Sequence, residues 1–449
     1  MTEAVQVTQT LARYVVEARS EDVPESVRRE AVRSLLNWAG CAIGGSGHEA
    51  VDRALAAVAP FAGQPEASLF GRSETIDVLN AALLNGISSH VFDFDDTHLE
   101  TIIHPAGPVA SALMALSEIR PMTGAQLLHA FILGVEVECR IGNAVYPTHY
   151  DIGWHITGTA GVFGAAAAAG KVLGLGPRQM TWALGIAGTQ SSGFREMFGT
   201  MCKSFHPGRA AQNGLLSAFL AQRNFTSSDR VLEAPRGFAH VMSAERDFTR
   251  ITGNLGGSFE IVRNTYKPFA CGVVIHPAID GAVQLRNEYG LTADQIEKIE
   301  LRVAPLVLEL TGKRTPRTGL EGKFSVFHSV AVAIIHGAAG EREYSDAVVA
   351  DPQVIALRDR VHATTDKAIR DDEAYLTAFL KDGRKLKRHV PHALGSLERP
   401  MSNADLEAKF LGLCDGVLPR DRAKQALALY WRAEQLPDAK ALVAASTAG

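Results

Sequence analysis

The sequence predicts a mainly α-helical protein in which both chain ends form a large all-helical domain and a smaller α+β domain is inserted between them. Apolar residues recur at helical spacing through residues 1–265 and again from Ser402 onward. The stretch between these regions contains short runs in which apolar and polar residues alternate, which is the pattern of half-buried strands. We therefore expect the helical domain to span 1–266 and 396–449, and the α+β domain to span 267–395.

Local signals in the first region indicate several helices. Pro24 fits the first position of a helix, where the missing N–H of proline is not needed. Thr123 and Gln126 have the spacing of a capping box and precede an apolar segment that reaches about Val145. The alanine-rich segment 159–173 is apolar on every side, so we expect it to be buried all round. Further helical patterns lie at Arg178–Ala187 and Gly208–Gln222.

The inserted region combines strands with helices. Residues 299–303 alternate between apolar and charged side chains and predict a half-buried strand. Residues 375–380 and 385–390 predict a β-hairpin around the Asp382-Gly383 turn. Helices are expected at three further places: after a cap formed by Thr292 and Gln295, at Phe324–His336, and from Ser402 to the end of the chain.

Composition excludes several classes of function. The chain has 45 basic and 49 acidic residues, a net charge of −4, and no basic block of the kind that binds nucleic acid. Its five cysteines are scattered without any C-x-x-C pair, which argues against a disulfide framework, a zinc knuckle and an iron–sulfur site. The near match to a phosphate-binding loop at 164–172 has the wrong spacing and lies within a helical pattern.

The expected location is the cytoplasm, with no association with a membrane. The first twenty residues lack the basic start and apolar run of a secretory signal. The most apolar stretch, Gly158–Gly170, is too short to cross a bilayer.

The dipeptide His-Pro occurs three times, at His104, His206 and His276. Proline favours the first turn of a helix, so each histidine is expected near a helix start, where free N–H groups attract anions. The same position lowers the pKa of an imidazole and favours a neutral ring that acts as a base. The alternative for each is an ordinary helix start without a chemical role.

The first histidine follows a segment with three aspartates in four residues, Asp93, Asp95 and Asp96. Phenylalanines alternate with the first two, so a wholly solvated loop does not fit. A hydrogen-bonded catalytic loop is the favoured interpretation. A metal site and a purely structural turn are the alternatives, and the segment lacks the register of a calcium-binding loop.

Three further groups of residues offer polar chemistry. His155 follows the tyrosines Tyr146 and Tyr150 and precedes the alanine-rich helix, and a satisfied core histidine is its alternative. Lys203 and Arg209 are expected to bracket a helix start around His206 and to attract a carboxylate, with a surface salt bridge as the alternative. Lys267 lies at the expected domain junction, where it can reach a ligand or remain an ordinary solvated lysine.

Together these stretches resemble the MmgE/PrpD family, which includes 2-methylcitrate dehydratase, cis-aconitate decarboxylase and iminodisuccinate epimerase. The resemblance rests on H-x-x-D-F-D-D-T at His90–Thr97, G-x-H-x-T-x-T-x-G from Gly153, K-x-x-H-x-G-x-A-A-x-N-G from Lys203, K-P-F from Lys267 and F-S-V-F-H-S-V-A from Phe324. It implies the two-domain fold described above, a homodimer and no organic cofactor. No bound metal is expected either.

The resemblance also implies a set of site residues in the cleft between the two domains. The positions that match the family's motifs are Asp93, Thr97, His104, His155, Lys203 and Lys267. Two departures weaken the decarboxylase interpretation: Gly272 stands where that branch has a histidine, and His328 stands where it has a tyrosine.

The chemistry implied is proton transfer at a carbon next to a carboxylate of a small di- or tricarboxylate. We expect His104 or His155 to move the proton, Asp93 to orient an imidazole, and Tyr146 to act as an acid for a leaving hydroxyl. Lys203 is expected to be catalytic as well, as a cation that holds a carboxylate. The expected substrate-binding residues are Lys267, Thr97, Arg209 and Tyr150. A 2-methylcitrate dehydratase-like hydro-lyase is the leading hypothesis. The alternatives are an epimerase of an iminodisuccinate-like substrate, a cis-aconitate-type decarboxylase, a metal-dependent hydro-lyase and a non-catalytic binding protein.

Overall fold

The computed structural model describes residues 6–448, which divide into two compact units. The first unit contains the chain up to Val91, residues Asp95–Thr265 and the chain from Asn403 onward. The second contains Phe92–Phe94 and Tyr266–Ser402. Across the described residues there are 21 α-helices and eight short strands, which confirms the mainly α-helical fold with a small α+β portion.

The first unit consists almost entirely of helices. Those before the second unit are α1 (Val7–Glu17), α2 (Glu25–Gly45), α3 (Glu49–Val58), α4 (Val78–His90), α5 (Ala106–Ile119), α6 (Gly124–Val145), α7 (Thr148–Ile152), α8 (Ile156–Val172), α9 (Pro177–Gly188), α10 (Met201–Gln222), α11 (Phe238–Met242) and α12 (Thr249–Thr252). The chain end adds α19 (Asn403–Cys414), α20 (Arg420–Trp431) and α21 (Lys440–Ser446). Two short two-stranded sheets complete it: β1 (Ala67–Ser68) with β2 (Thr75–Ile76), and β3 (Asp96–His98) with β4 (Asn264–Tyr266).

Close helix packing builds the core of this unit. The capping box at Thr123 and Gln126 is present and starts α6 as predicted. The alanine-rich helix α8 is buried from Ile156 to Gly170 and packs against α6 and α10, as its composition indicates. Small residues allow such packing because they let two backbones approach each other.

Helices α4 and α10 cross at a pair of glycines. A Cβ atom added to Gly208 would overlap the carbonyl oxygen of Leu83, and one added to Gly86 would overlap the Cα atom of Gly208. This crossing joins the helix that ends at His90 to the helix that carries His206. The two glycines therefore control the approach of two histidine-bearing helices.

The second unit is built on a four-stranded sheet in the order β6-β5-β7-β8. β5 (Ile296–Val303) runs parallel to β6 (Val361–Thr365) and antiparallel to β7 (Ala374–Leu380), which forms a hairpin with β8 (Lys385–Val390). The alternating burial of β5 and the hairpin agree with the sequence patterns. Its helices are α13 (His276–Tyr289), α14 (Pro305–Thr311), α15 (Gly319–Gly322), α16 (Val326–His336), α17 (Asp346–Val349) and α18 (Pro352–Arg358).

Three local predictions were wrong. The segment from Thr292 to Gln295 is a turn that leads directly into β5, with no helix. Pro24 is the N-cap before α2 rather than its first residue. Helix α10 begins at Met201 because the Thr200 hydroxyl accepts a hydrogen bond from Cys202 N, so His206-Pro207 lies inside the helix and not at its start.

Among residues 6–448, we find no helix with both the length and the apolar character needed to cross a membrane.

The glycine crossing gives a first prediction. Gly208→Ala should lower the free energy of unfolding by about 1–3 kcal/mol, because the added methyl group meets backbone atoms that cannot move aside locally. Gly412→Ala in α19 is the matched control, since no atom lies within 4 Å of its added Cβ and alanine favours a helix over glycine by up to about 1 kcal/mol. Urea unfolding of both variants measures the difference. Equal effects would show that the crossing is not tight.

Candidate active site

Asp95 links two buried histidines in the first unit. Its carboxylate oxygens lie 2.6 Å from Nδ1 of His90 at the end of α4 and 3.4 Å from Nδ1 of His104 just before α5. All three side chains are buried. An ionised carboxylate accepts hydrogen bonds and stabilises a positive charge on a nearby ring. Asp95 therefore orients the His90 ring by a hydrogen bond and lies close enough to His104 to stabilise a positive charge on that ring.

The neighbouring Asp96 supports the backbone around His104. Its side chain accepts hydrogen bonds from Asn264 Nδ2 at 2.6 Å and from the backbone N–H of Ala106, the first residue of α5. Burial, followed by the charge of Asp95, raises the pKa of Asp96 to about 7. The backbone carbonyl of Asp96 accepts a hydrogen bond of 2.6 Å from Nδ1 of His104, which fixes the tautomer of a neutral His104 ring.

Thr97 also lies beside this ring. Its Oγ1 atom is 3.4 Å from Nδ1 of His104, and its backbone carbonyl accepts a hydrogen bond from Thr265 Oγ1. The backbone N–H of His104 donates to Thr157 Oγ1 in α8 at 3.1 Å. These contacts bring the predicted residues Thr97 and His104 together at the entrance to α8.

His155 is the N-cap residue of α8, and its ring is buried. Its backbone N–H donates to the carbonyl of Gly193, and its Nδ1 atom is 2.8 Å from Nδ1 of His206 on α10. Burial holds the pKa of His155 well below its usual value, and the surrounding basic groups lower it further, with His90 and Lys203 foremost. Burial also lowers the pKa of His206 to about 4. Both rings are neutral at pH 7.

Four imidazoles thus form one buried histidine cluster: His90, His104, His155 and His206. The ring centroid of His90 lies 4.8 Å from that of His104 and 6.0 Å from that of His155. One nitrogen of each of these three rings falls within 4.8 Å of the others, so the trio could ligate a transition-metal ion. The cluster also gives its rings two different environments. His104 lies beside the carboxylate of Asp95, whereas His155 is surrounded by basic groups, and this difference suits acid–base chemistry.

Lys203 supplies positive charge next to the cluster. It is the third residue of α10, is half-buried, and its Nζ atom lies 5.4 Å from the centroid of the Phe198 ring. Its charge contributes to the lowered pKa values of His155 and His206. The prediction that Lys203 and Arg209 bracket a helix start was wrong: Arg209 lies in the third turn of α10, is exposed and donates to Gln212.

The predicted tyrosines form a separate aromatic group in the same unit. The rings of Tyr146 and Tyr150 are half-buried, and their centroids are 6.2 Å apart. The guanidinium of Arg195 lies 4.1 Å from the centroid of the Tyr150 ring. A cation over the ring face stabilises this arrangement.

In the second unit, the predicted residues Asp93 and Lys267 form an ion pair. Lys267 Nζ lies 2.7 Å from the Asp93 carboxylate and donates to the Asp93 backbone carbonyl at 3.0 Å. The buried Lys323 donates to the preceding carbonyl, that of Phe92, and to Glu341 at 2.6 Å. Two lysines of the second unit thus bind the Phe92–Phe94 segment, and the carboxylate of Asp93 neutralises Lys267.

Sequence reasoning missed three members of the histidine cluster's surroundings. His90 and His206 belong to two of the family motifs but are not among the predicted site residues, and the sequence patterns predict Asp93, not Asp95, as the residue that orients an imidazole. The signal that could have found Asp95 is its spacing of five residues from His90. His149, by contrast, is satisfied in the core: its Nδ1–H donates to the Met242 carbonyl, and its Nε2 accepts from Thr159 Oγ1.

Comparison with known proteins identifies the family. Models of the MmgE/PrpD N-terminal domain and the MmgE/PrpD C-terminal domain match residues 9–251 and 269–434. The chain belongs to the MmgE/PrpD family. This confirms the resemblance found in the sequence motifs.

Several curated members of the family are similar to this chain over most of its length. Cis-aconitate decarboxylase of Aspergillus terreus is 25% identical over 97% of this chain and 95% of its own length. Cis-aconitate decarboxylase of Mus musculus is 26% identical over 97% of this chain and 92% of its own. The mitochondrial 2-methylcitrate dehydratase of Yarrowia lipolytica is 23% identical over 94% of this chain and 86% of its own. These MmgE/PrpD relatives are lyases of small carboxylates.

Buried neutral histidines give a prediction for the pH dependence of stability. Burial lowers the pKa of His149 from 6.5 to about 4, so the unfolded state binds a proton that the native state does not. The free energy of unfolding should therefore fall as the pH drops from about 6.5 to about 4, with a contribution of about 3 kcal/mol from His149.

The measurement is urea unfolding at several pH values. His149→Gln should be less stable than the wild type at pH 7.5, because two hydrogen bonds change, and should lose less stability on acidification. His362→Gln, at an exposed position on β6, is the control and should keep the wild-type slope. A wild-type slope in His149→Gln would contradict a neutral buried His149.

Proposed function

We propose that this MmgE/PrpD protein is a lyase that moves a proton at a carbon next to a carboxylate of a small di- or tricarboxylate, most closely a 2-methylcitrate dehydratase-like hydro-lyase. The observation that carries the proposal is the buried histidine cluster, in which Asp95 contacts His90 and His104 while His155 contacts another imidazole. A carbon acid next to a carboxylate is weak, so its reaction needs a base, an acid and cations at close range. The cluster and Lys203 offer all three.

The environments of the rings support different roles for His155 and His104. His155 is held neutral by burial and by basic neighbours, so a lone pair on its ring suits the general base. His104 lies 3.4 Å from the Asp95 carboxylate, which stabilises a protonated ring and suits the general acid. Lys203 would stabilise the developing negative charge, and Thr97 would hydrogen-bond the substrate.

The structure supports the proposed roles of the remaining predicted residues to different degrees. Lys267 is paired with Asp93, so a substrate carboxylate would share this lysine with an existing partner. Tyr146 stays a candidate acid for a leaving hydroxyl, beside Tyr150. The exposed position of Arg209 and its hydrogen bond to Gln212 give no support to a role in substrate binding.

Two positions in the second unit favour dehydration over decarboxylation. A Cβ atom added at Gly272 would have no atom within 4 Å, so the chain leaves open space where the resemblance places a histidine in decarboxylases. His328 is fully buried in α16, and its Nε2–H donates to the Glu343 carbonyl at 3.0 Å, so this ring is engaged in the core. Decarboxylation is the second candidate, because the similar relatives include cis-aconitate decarboxylases. Epimerisation of an iminodisuccinate-like substrate passes through a related carbanion and stays the third.

The proposal also includes a homodimer in the cytoplasm, which acts without an organic cofactor or a metal. The described cysteines form no disulfides, which suits a reducing compartment. Light scattering coupled to size-exclusion chromatography would test the dimer.

The reaction itself can be identified with purified protein. We expect 2-methylcitrate to lose water, with the unsaturated product seen by ultraviolet absorbance and NMR, and with the rate unchanged by a chelator. Citrate, cis-aconitate and iminodisuccinate serve as the comparison substrates. Release of carbon dioxide from cis-aconitate as the fastest reaction would select the decarboxylase instead, and loss of activity with chelator would support the metal-dependent alternative.

The roles of the two histidines predict a bell-shaped pH profile for kcat/KM. His155→Gln and His104→Gln should each lower kcat by about 10²–10⁴-fold and should each remove one limb of the profile, because a general base and a general acid are lost in turn. His129→Gln is the matched control: His129 is a buried histidine of α6 outside the cluster, and burial lowers its pKa to about 4. Losses below tenfold in both cluster variants would exclude these roles.

A further inference from the structure

The contact between His155 and His206 is more specific than ordinary packing. Their Nδ1 atoms are 2.8 Å apart, and the ring centroids are 5.0 Å apart. The exposed fraction of His155 is 1% and that of His206 is 7%, so water does not replace this hydrogen bond.

A nitrogen–nitrogen hydrogen bond requires one N–H donor and one lone pair. A neutral imidazole carries a single N–H, on either Nδ1 or Nε2. If Nδ1 of His155 carries the proton, its Nε2 presents a lone pair and can act as a base. If Nδ1 of His206 carries the proton, His155 must carry its own on Nε2 and can only donate.

The backbone holds both partners in this register. A Cβ atom added to Gly193, whose φ is +129°, would lie 3.1 Å from Cγ of the His206 ring, and one added to Gly158 would lie 3.1 Å from its Cβ. The carbonyl of the same Gly193 accepts the backbone N–H of His155 at 2.9 Å. The His206 ring therefore packs directly on backbone that also positions His155.

The groups that face the pair keep both rings uncharged. His90, His104 and Lys203 act on His155, and His90 and Lys203 act on His206; all are basic, and burial acts in the same direction. The carboxylate of Asp95 is engaged with His90 and His104 instead. At neutral pH the two Nδ1 atoms therefore share one proton.

We propose that His206 is a positioning residue whose Nδ1 accepts a hydrogen bond from the Nδ1–H of His155, so that Nε2 of His155 keeps a lone pair that faces the substrate. This inference rests on the proposed function, in which His155 is the base. His206 itself does not touch the substrate in this scheme. It selects the tautomer of the residue that does.

The test compares two amides at position 206. The side-chain amide of asparagine reaches about as far as Nδ1 of histidine, whereas that of glutamine reaches about as far as Nε2. In His206→Asn the amide oxygen can still accept a hydrogen bond from the Nδ1–H of His155, so this variant should keep kcat within about tenfold of wild type. His206→Gln, of similar polarity, should lose about 10²-fold in kcat, with little change in KM, because the base tautomer is no longer selected.

A second measurement does not depend on activity. In wild-type protein labelled with ¹⁵N in its histidine side chains, NMR at pH 7 should show His155 protonated on Nδ1 and unprotonated on Nε2. His206→Asn should keep this pattern, and His206→Gln should change it to a mixture of tautomers.

The outcomes separate this inference from the proposed function. His155 protonated on Nε2 in the wild type, or wild-type kcat and tautomer in His206→Gln, would overturn the role of His206. The expected tautomers in a protein that turns over none of the carboxylates would leave the role of His206 in place and refute the lyase.

Discussion

The desolvation of four neighbouring imidazoles is the constraint on which this site depends. Water normally stabilises the protonated form of histidine, and its removal favours the neutral ring. The carboxylate of Asp95 replaces water as the polar partner of His90 and His104. His155 and His206 are each other's partner, through one hydrogen bond between their Nδ1 atoms. The cluster is therefore asymmetric: a carboxylate lies beside the rings on one side, and basic groups surround the rings on the other. Acid and base can coexist at one pH for this reason.

The fold produces this asymmetry by bringing together histidines from separate helices. His90 ends α4, His155 caps α8, and His206 lies in the second turn of α10. Glycines at the helix contacts let the backbones approach closely enough for ring nitrogens to meet. The same packing that buries the alanine-rich helix thus also removes water from the histidines, so stability and the chemistry of the site have a common origin.

Local sequence signals predicted the regular elements well, including the capping box of α6, the hairpin at Gly383 and the buried helix α8. The failures lie where a tertiary contact or a competing local signal overrides a local pattern. Asp93 and Asp95 look equivalent in the sequence, yet a positive φ of 52° at Asp93 belongs to a segment bound by the second unit, and Asp95 joins the histidines of the first. Similarly, a proline favours a helix start, but the Thr200 cap begins α10 earlier and leaves His206 inside it. Residue spacing alone does not show which of the two carboxylates, Asp93 or Asp95, is buried with an imidazole.

The most direct test of the site is a titration of its histidines in the wild-type protein, followed by ¹³C and ¹⁵N NMR of the labelled rings from pH 8 to pH 4.5. Burial lowers the pKa of His206 to about 4 and holds that of His155 well below its usual value, so we expect both rings to gain a proton only at a lower pH than a free imidazole in the same buffer. Protonation of His155 and His206 near pH 6.5, together with the free imidazole, would contradict a desolvated cluster and the base that it provides.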